Sequence, residues 1–166
     1  MKIGIITMHK VYNNGSALQA FALQKTIENI GHFAKLIDYD FNANKRIKAK
    51  PIKKVVDWII QLLLGFPKNR RINKFNKFHK EYFNLTEQSY DSMDSLQGNP
   101  PVFDVYCTGS DQVWNPRFIY NDTSFMLSFV PEEKPRLSFA ASFATNEIPN
   151  DLKDLYKKYL IKYNQI

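Results

Sequence analysis

The 166-residue chain is long enough for one domain with a real core, and its apolar content of 44% excludes an intrinsically disordered protein. Its single cysteine, Cys107, excludes an internal disulfide and fits a reducing compartment. The positive charge is concentrated between Lys45 and Lys80, a segment with twelve Lys or Arg residues and one acid, Asp57. Because the net charge of the whole chain is +7, the rest of the chain is net acidic.

The first predicted unit is a strand followed by a loop and a helix. Residues 3–7 are apolar and β-branched, which predicts a buried strand. We predict a helix that follows Ser16 as its N-cap and ends before Gly31 at the C′ position. Its expected core-facing residues are Ala20, Leu23, Ile27 and Ile30, with Phe21 as an aromatic anchor. This is the first half of a β-α-β unit.

The loop between that strand and helix is a candidate ligand site. A helix N-terminus offers unpaired N–H groups and a partial positive charge, and Asn and Gly tolerate the backbone conformations that turn N–H groups toward an anion. The alternative is a plain turn with a serine cap. The chain lacks G-x-G-x-x-G, which argues against ordinary NAD binding. The candidate substrate-binding residues here are Tyr12, Asn13, Asn14, Gly15 and Ser16.

Residues 34–39 alternate loosely and are rich in strand formers, so they predict the second strand. Asp38 lies near its end, where a nucleotide-binding fold places an acid against a ribose. Without the glycine fingerprint we prefer an exposed acid at a strand end.

Residues 41–97 are predicted to form a mainly helical insert that contains a basic helical hairpin. The first helix would run from Pro51 to Gly65 and the second from Arg71 to Phe83. The hairpin could be a lid, a partner surface, a face toward an anionic membrane, or simply a solvated polar face over a core-facing stripe. We do not expect nucleic acid as its partner.

A third strand is predicted at 102–108, with Cys107 as a small buried side chain. The segment Gly109–Pro116 follows it, and open α/β sheets bind ligands beyond the carboxyl ends of their strands. Its hydroxyl, carboxylate, amide and indole groups are those that handle sugars, although a capping turn with the indole in the core is an equal alternative. The candidate binding residues are Gly109, Ser110, Gln112, Trp114 and Asn115, and the candidate catalytic acid is Asp111.

The last predicted elements are a fourth strand within residues 136–142 and a helix over residues 151–163. The apolar face of this helix would comprise Leu152, Leu155, Tyr159 and Leu160. Strands that alternate with helices predict an α/β fold with a Rossmann-like parallel sheet flanked by helices.

Three pieces of the sequence, taken together, resemble the polysaccharide pyruvyl transferase family. They are residues 2–7 with 12–24, the octapeptide Gly109–Pro116, and Arg136–Phe143, in matching order and separation. The resemblance implies one Rossmann-like half of a GT-B-like, two-domain architecture with the cleft between the halves. Residues 1–166 would be the N-terminal domain, and the C-terminal domain would be absent.

The resemblance also implies an activity, namely transfer of pyruvate from phosphoenolpyruvate to a glycan hydroxyl pair as a ketal in bacterial capsule, exopolysaccharide or cell-wall synthesis. The family's His and Arg residues that hold phosphoenolpyruvate belong to the second half. His9, His32 and His79 lie outside any matching motif and are expected to be structural or exposed. The chain alone is therefore expected to be inactive.

The expected partners follow from that activity. They are a glycan or lipid-linked saccharide acceptor, the missing second half or a second copy of the chain, and an anionic membrane surface. Phosphoenolpyruvate is the donor substrate, and neither a further cofactor nor a metal is expected. The expected location is cytoplasmic, including the inner face of the membrane. The alternatives are a non-catalytic Rossmann-like binding module and half of a GT-B nucleotide-sugar glycosyltransferase.

Overall fold

The computed structural model describes residues 1–41, 66–119 and 122–166, without the side chains of 66–69 and 119. Within these residues five strands form one sheet in the order β3-β2-β1-β4-β5, and every neighbouring pair is parallel. The strands are β1 (Lys2–Ile6), β2 (Phe33–Tyr39), β3 (Leu85–Tyr90), β4 (Val105–Gly109) and β5 (Arg136–Phe139). The predicted parallel α/β sheet is confirmed.

Helices connect these strands and cover the sheet. They are α1 (Asn14–Asn29), α2 (Phe66–Tyr82), α3 (Met93–Gly98), α4 (Pro116–Ile119) and α5 (Lys153–Leu160). Short 3₁₀ turns lie at Ser124–Met126 and Asn150–Leu152. No helix in the described residues is long and apolar enough to cross a lipid bilayer.

The sheet has a hydrophobic cluster on each face because successive strand residues point to opposite sides. Ile5 of β1 packs on the side of α1 and α2, in one cluster with Leu23 and Phe75. Its neighbour Ile6 packs on the other side, in one cluster with Trp114 and Tyr156. The central strands are thus covered on both faces, as expected for a parallel sheet.

Helix α1 confirms the predicted unit but begins earlier than expected. The N-cap is Asn13, not Ser16, because the Asn13 Oδ1 accepts hydrogen bonds from the N–H groups of Gly15 at 2.8 Å and Ser16 at 3.3 Å. Gly31 follows the helix with a φ of +86°, the left-handed conformation predicted for C′. Ile30 was wrongly placed on the core face, since it lies past the last helical turn and is 66% exposed.

The segment 41–97 contains a strand that the sequence analysis missed. The second helix of the predicted hairpin is α2, whereas its first helix falls on residues outside the described ranges. After α2 the chain forms β3, which pairs with β2 at the edge of the sheet. Most β3 residues are polar and at least partly exposed, so the strand carries little of the apolar signal that marks a strand.

The C-terminal helix is shorter than predicted. The expected helix over 151–163 is a 3₁₀ turn followed by α5, which ends at Leu160, and its buried residues are Leu152 and Tyr156. Beyond the helix, Gln165 pairs parallel to Leu137 of β5, and its carbonyl accepts the N–H of Ser138 at 2.9 Å.

Candidate functional site

The order of the strands reverses between β1 and β4. From β1 the chain moves outward to β2 and β3, and it then returns to β4 and β5 on the other side. Loops that leave two such strands diverge toward opposite faces and open a crevice, where open α/β proteins bind ligands. Ile6 and Thr108 lie side by side at the ends of β1 and β4. The two predicted site loops therefore begin next to each other.

A direct contact joins the loop after β4 to helix α1. The Ser110 hydroxyl, which follows β4, donates a hydrogen bond to the carbonyl of Gln19 at 3.3 Å. Ser110 is buried, whereas Gln19 is exposed, so this contact lies at the boundary between the interior and the surface. Its role in the structure is to hold the start of the β4 loop against α1.

The β1 loop presents exposed polar groups at the rim of the crevice. Tyr12, Asn13, Asn14 and Gly15 are all exposed, and Ser16 is half-buried. The amides of Gly15 and Ser16, the second and third residues of α1, are already occupied by the Asn13 side chain, so these two amides are not open to an anion. The exposed Tyr12 and Asn14 are the side chains that this loop offers to a ligand.

The β4 loop places Asp111 at the same edge. The carboxylate is half-buried, and its Oδ1 accepts the N–H of Gln112 at 2.7 Å. No hydrogen bond to its other oxygen is seen within the described residues. Gln112 is exposed beside it, whereas the Asn115 Oδ1 caps α4 by accepting the N–H of Arg117 at 3.0 Å. Asp111 and Gln112 thus lie in the loop that leaves β4 at the reversal point of the sheet, and Asn115 supports that loop.

Trp114 belongs to the core. Its side chain is 2% exposed, and its indole N–H donates to the carbonyl of Phe125 at 3.2 Å. The hydroxyl of Tyr156 donates to the Trp114 carbonyl at 2.5 Å and so ties α5 to the loop. Because both faces of this indole are covered, the core alternative matches the structure, and no sugar ring can stack on it.

A third loop, which follows β5, also reaches this edge, and no site residue was predicted there. The Ser142 N–H donates to the Asp111 carbonyl at 2.9 Å, and the Trp114 N–H donates to the Ser142 carbonyl at 3.1 Å. Ala140 and Ala144 adopt left-handed backbone conformations, with φ of +48° and +49°. Such conformations in residues other than glycine cluster at functional sites and would have been the signal, but they cannot be read from the sequence.

The approach of the β5 loop to β4 depends on a glycine. Gly109 has a φ of +125°, and a Cβ atom at this position would lie 2.0 Å from the carbonyl oxygen of Phe139. The backbone of β5 therefore occupies the space of a side chain at residue 109. Gly109, predicted as a binding residue, has this structural role at the base of the site.

Asp38 is engaged in an internal cluster rather than exposed as expected. Its Oδ1 lies 2.8 Å from the Lys10 Nζ and 3.3 Å from the Nε2 of His9, which is 1% exposed. Burial acts to raise the pKa of Asp38, but hydrogen bonds from His9, Lys10 and Ser89 outweigh it and hold the pKa well below the usual range. The carboxylate is thus committed to stabilising the loop after β1, which leaves it poorly placed to bind a ribose.

Cys107, His9 and His79 pack in the interior of the fold. Burial raises the pKa of the Cys107 thiol to about 12, so the thiol stays protonated and unreactive at neutral pH, as predicted for a buried cysteine. His9 and His79 both pack against the ring of Phe83. No group of three or more His, Cys, Asp or Glu side chains in the described ranges is arranged to hold a metal ion.

The comparisons with known proteins address the family. A family model described as polysaccharide pyruvyl transferase matches residues 13–166. Comparison with curated proteins and with solved structures found no match. The family match covers most of the chain, from the residue before α1 onward, and includes the loops after β4 and β5. The chain therefore belongs to the polysaccharide pyruvyl transferase family.

Proposed function

We propose that this chain is the acceptor-binding N-terminal domain of an enzyme that transfers pyruvate from phosphoenolpyruvate to two hydroxyls of a glycan. A second Rossmann-like half in a GT-B-like arrangement, which supplies the donor site, is part of this proposal. The observation that carries it is the Asp111 carboxylate, which is half-buried beside the reversal point of the sheet and has one oxygen anchored by Gln112.

The reaction needs a group that removes protons from sugar hydroxyls. The first hydroxyl oxygen adds to C2 of phosphoenolpyruvate while C3 gains a proton and becomes a methyl group. The second hydroxyl oxygen then bonds to C2 as the bond from C2 to the phosphate oxygen breaks. Of the two hydroxyl protons, one balances the proton on C3 and the other leaves with phosphate. Asp111 would accept a proton from an attacking hydroxyl.

The neighbouring side chains support such a role. The exposed amide of Gln112 can hold an adjacent hydroxyl, and the exposed Tyr12 and Asn14 can contact the glycan across the crevice. The Gln112 N–H fixes the Asp111 carboxylate through one oxygen and leaves the second oxygen for the acceptor. The acceptor class that this polar, open edge fits is a saccharide with two neighbouring hydroxyl groups.

The variant Asp111→Asn tests the proposal in an enzyme that carries both halves. An amide oxygen can still accept the Gln112 N–H but cannot act as a base, so kcat should fall about 100-fold or more. The melting temperature should stay close to that of the unmodified protein. Ketal formation is measured by release of phosphate from phosphoenolpyruvate in the presence of the acceptor glycan.

The matched control is Asp94→Asn, which removes an exposed acid from the first turn of α3, after the edge strand β3. It should leave kcat unchanged and lower stability by no more than about 1 kcal/mol. Full turnover by the Asp111→Asn enzyme would remove the catalytic assignment and leave Asp111 as a residue that stabilises its own turn.

A further inference from the structure

The outer face of α2 is a cationic stripe. Arg70, Lys74 and Lys77 are exposed and stand at positions i, i+4 and i+7, so they project from one side of the helix. Lys80 extends the stripe by a further turn. The opposite side of α2 packs into the core through Phe75. Glu81 is the only acid among the described side chains of α2, and its carboxylate raises the pKa of the neighbouring Tyr82 hydroxyl.

An apolar groove runs beside this stripe, between α1 and α2. It has a volume of about 260 Å³. The residues that line it are Asn14, Ala17, Leu18, Lys74, Phe75 and Phe78. Leu18 is 57% exposed, so its side chain adds apolar surface at the mouth of the groove. Lys74 belongs to both features, so apolar surface and positive charge adjoin directly.

We propose that the α2 stripe and the α1–α2 groove together form a docking surface for an anionic lipid bilayer. Phosphate groups of lipids complement the charges of Arg70, Lys74 and Lys77, and the groove receives apolar parts of the lipid around Leu18. Basic amphipathic helices bind anionic membranes through this pairing of charge and apolar area. A nucleic acid duplex would satisfy the charges but would leave Leu18 against phosphates and water.

The surface is linked to the crevice through Arg71. Its guanidinium donates to the Tyr12 carbonyl at 3.0 Å and lies against the ring of Phe75, 5.7 Å from the ring centroid. A bilayer that binds α2 therefore lies close to the loop after β1. If the proposed function holds, this places the site near a saccharide carried on a membrane lipid. The docking itself does not depend on that activity.

The test is binding of the chain to vesicles of stated composition. Flotation with equimolar phosphatidylcholine and phosphatidylglycerol should recover the protein, whereas phosphatidylcholine alone should recover little. Binding should weaken steeply as salt is added, because exposed charges are screened beyond about 8–10 Å at moderate ionic strength. The combined variant Arg70→Gln, Lys74→Gln and Lys77→Gln should lower partitioning on the order of 100-fold.

A matched control removes three exposed lysines from α5, which covers the other face of the sheet. The combined variant Lys153→Gln, Lys157→Gln and Lys158→Gln has the same net charge as the α2 variant and should bind vesicles almost as well as the unmodified chain. A separate variant, Leu18→Asn, should lose the part of the binding that persists at high salt. Circular dichroism melting of each variant checks that it is folded.

Three results would overturn the proposal. They are equal recovery on neutral and anionic vesicles, equal loss of binding in the α2 and α5 variants, and salt-dependent binding of duplex DNA in the absence of vesicle binding. None of these depends on pyruvyl transfer, so an inactive preparation still tests the docking surface.

Discussion

At the scale of single residues, His79 is an ionisable ring in an unfavourable place for charge. Its ring stacks on Phe83 at 4.7 Å between centroids, and its buried Nε2 has no hydrogen-bond partner among the described residues. Burial, together with the proximity of His9, lowers the pKa of His79 to about 4. An unfolded histidine titrates near 6.5, so acid favours the unfolded chain.

The lowered pKa of His79 predicts how the stability of the fold depends on pH. Between pH 6.5 and 4 the unfolded state binds more protons than the folded state, so stability should fall as the pH falls through that window. The variant His79→Phe should keep the ring packing and remove about 1–2 kcal/mol of the loss between pH 7 and 5. Urea midpoints at the two pH values measure it. The lowered pKa of Asp38 also makes stability depend on pH, but in a more acidic window. The stability that ionised Asp38 contributes is lost only as the pH falls below the ordinary pKa of an aspartate. An unaltered pH slope in the variant would contradict the environment described for His79.

At the scale of elements, α1 depends on its cap. The variant Asn13→Ala removes the oxygen that accepts the Gly15 and Ser16 amides and should cost about 0.5–2 kcal/mol of stability. Ser16→Ala is the matched control, because no cap hydrogen bond comes from Ser16, and it should change stability little. Denaturant midpoints of the two variants decide between the observed cap and the one expected from the sequence. A larger loss in Ser16→Ala would reverse the assignment.

The close approach of β5 to the end of β4 requires a glycine at residue 109. Gly109→Ala would bring a Cβ atom against the Phe139 carbonyl and require a backbone conformation that alanine rarely adopts. We expect a loss of about 1–3 kcal/mol or more, with displacement of the loop that carries Asp111. Gly98→Ala is the control, since no heavy atom lies within 4 Å of its added Cβ and its φ is not positive. Thermal melting compares the Gly109→Ala and Gly98→Ala variants. Equal melting temperatures would show that the backbone of β5 can move away from residue 109 at little cost in stability.

At the scale of the whole molecule, we expect the proposed reaction to need residues beyond this domain. The family resemblance assigns the His and Arg residues that bind phosphoenolpyruvate to a second half, and it gives those roles to no residue of this chain. We therefore expect the 166 residues alone to release no phosphate from phosphoenolpyruvate in the presence of candidate glycans. Addition of a second half in trans should restore ketal formation. Steady turnover by the 166 residues alone would refute the assignment of phosphoenolpyruvate binding to a second half.

Elements whose signals are local could be predicted from the amino-acid sequence. The apolar run of β1, the helical spacing of Ala20, Leu23 and Ile27, and Gly31 after α1 depend on residues within a few positions of one another. For the same reason the parallel α/β class could be predicted, because it follows from alternating strand and helix patterns. The family also followed from short motifs in a fixed order.

Contacts between distant segments could be identified only from the fold. β3 is a strand because β2 lies beside it, since its own residues bury little apolar surface. Trp114 turns into the core because Phe143 and Tyr163 pack against its ring there and the Phe125 carbonyl accepts its indole N–H. Ser142 reaches Asp111 from a distant part of the chain because β4 and β5 are adjacent. These contacts depend on burial and backbone pairing between segments far apart in the chain, so they cannot be predicted from local sequence patterns.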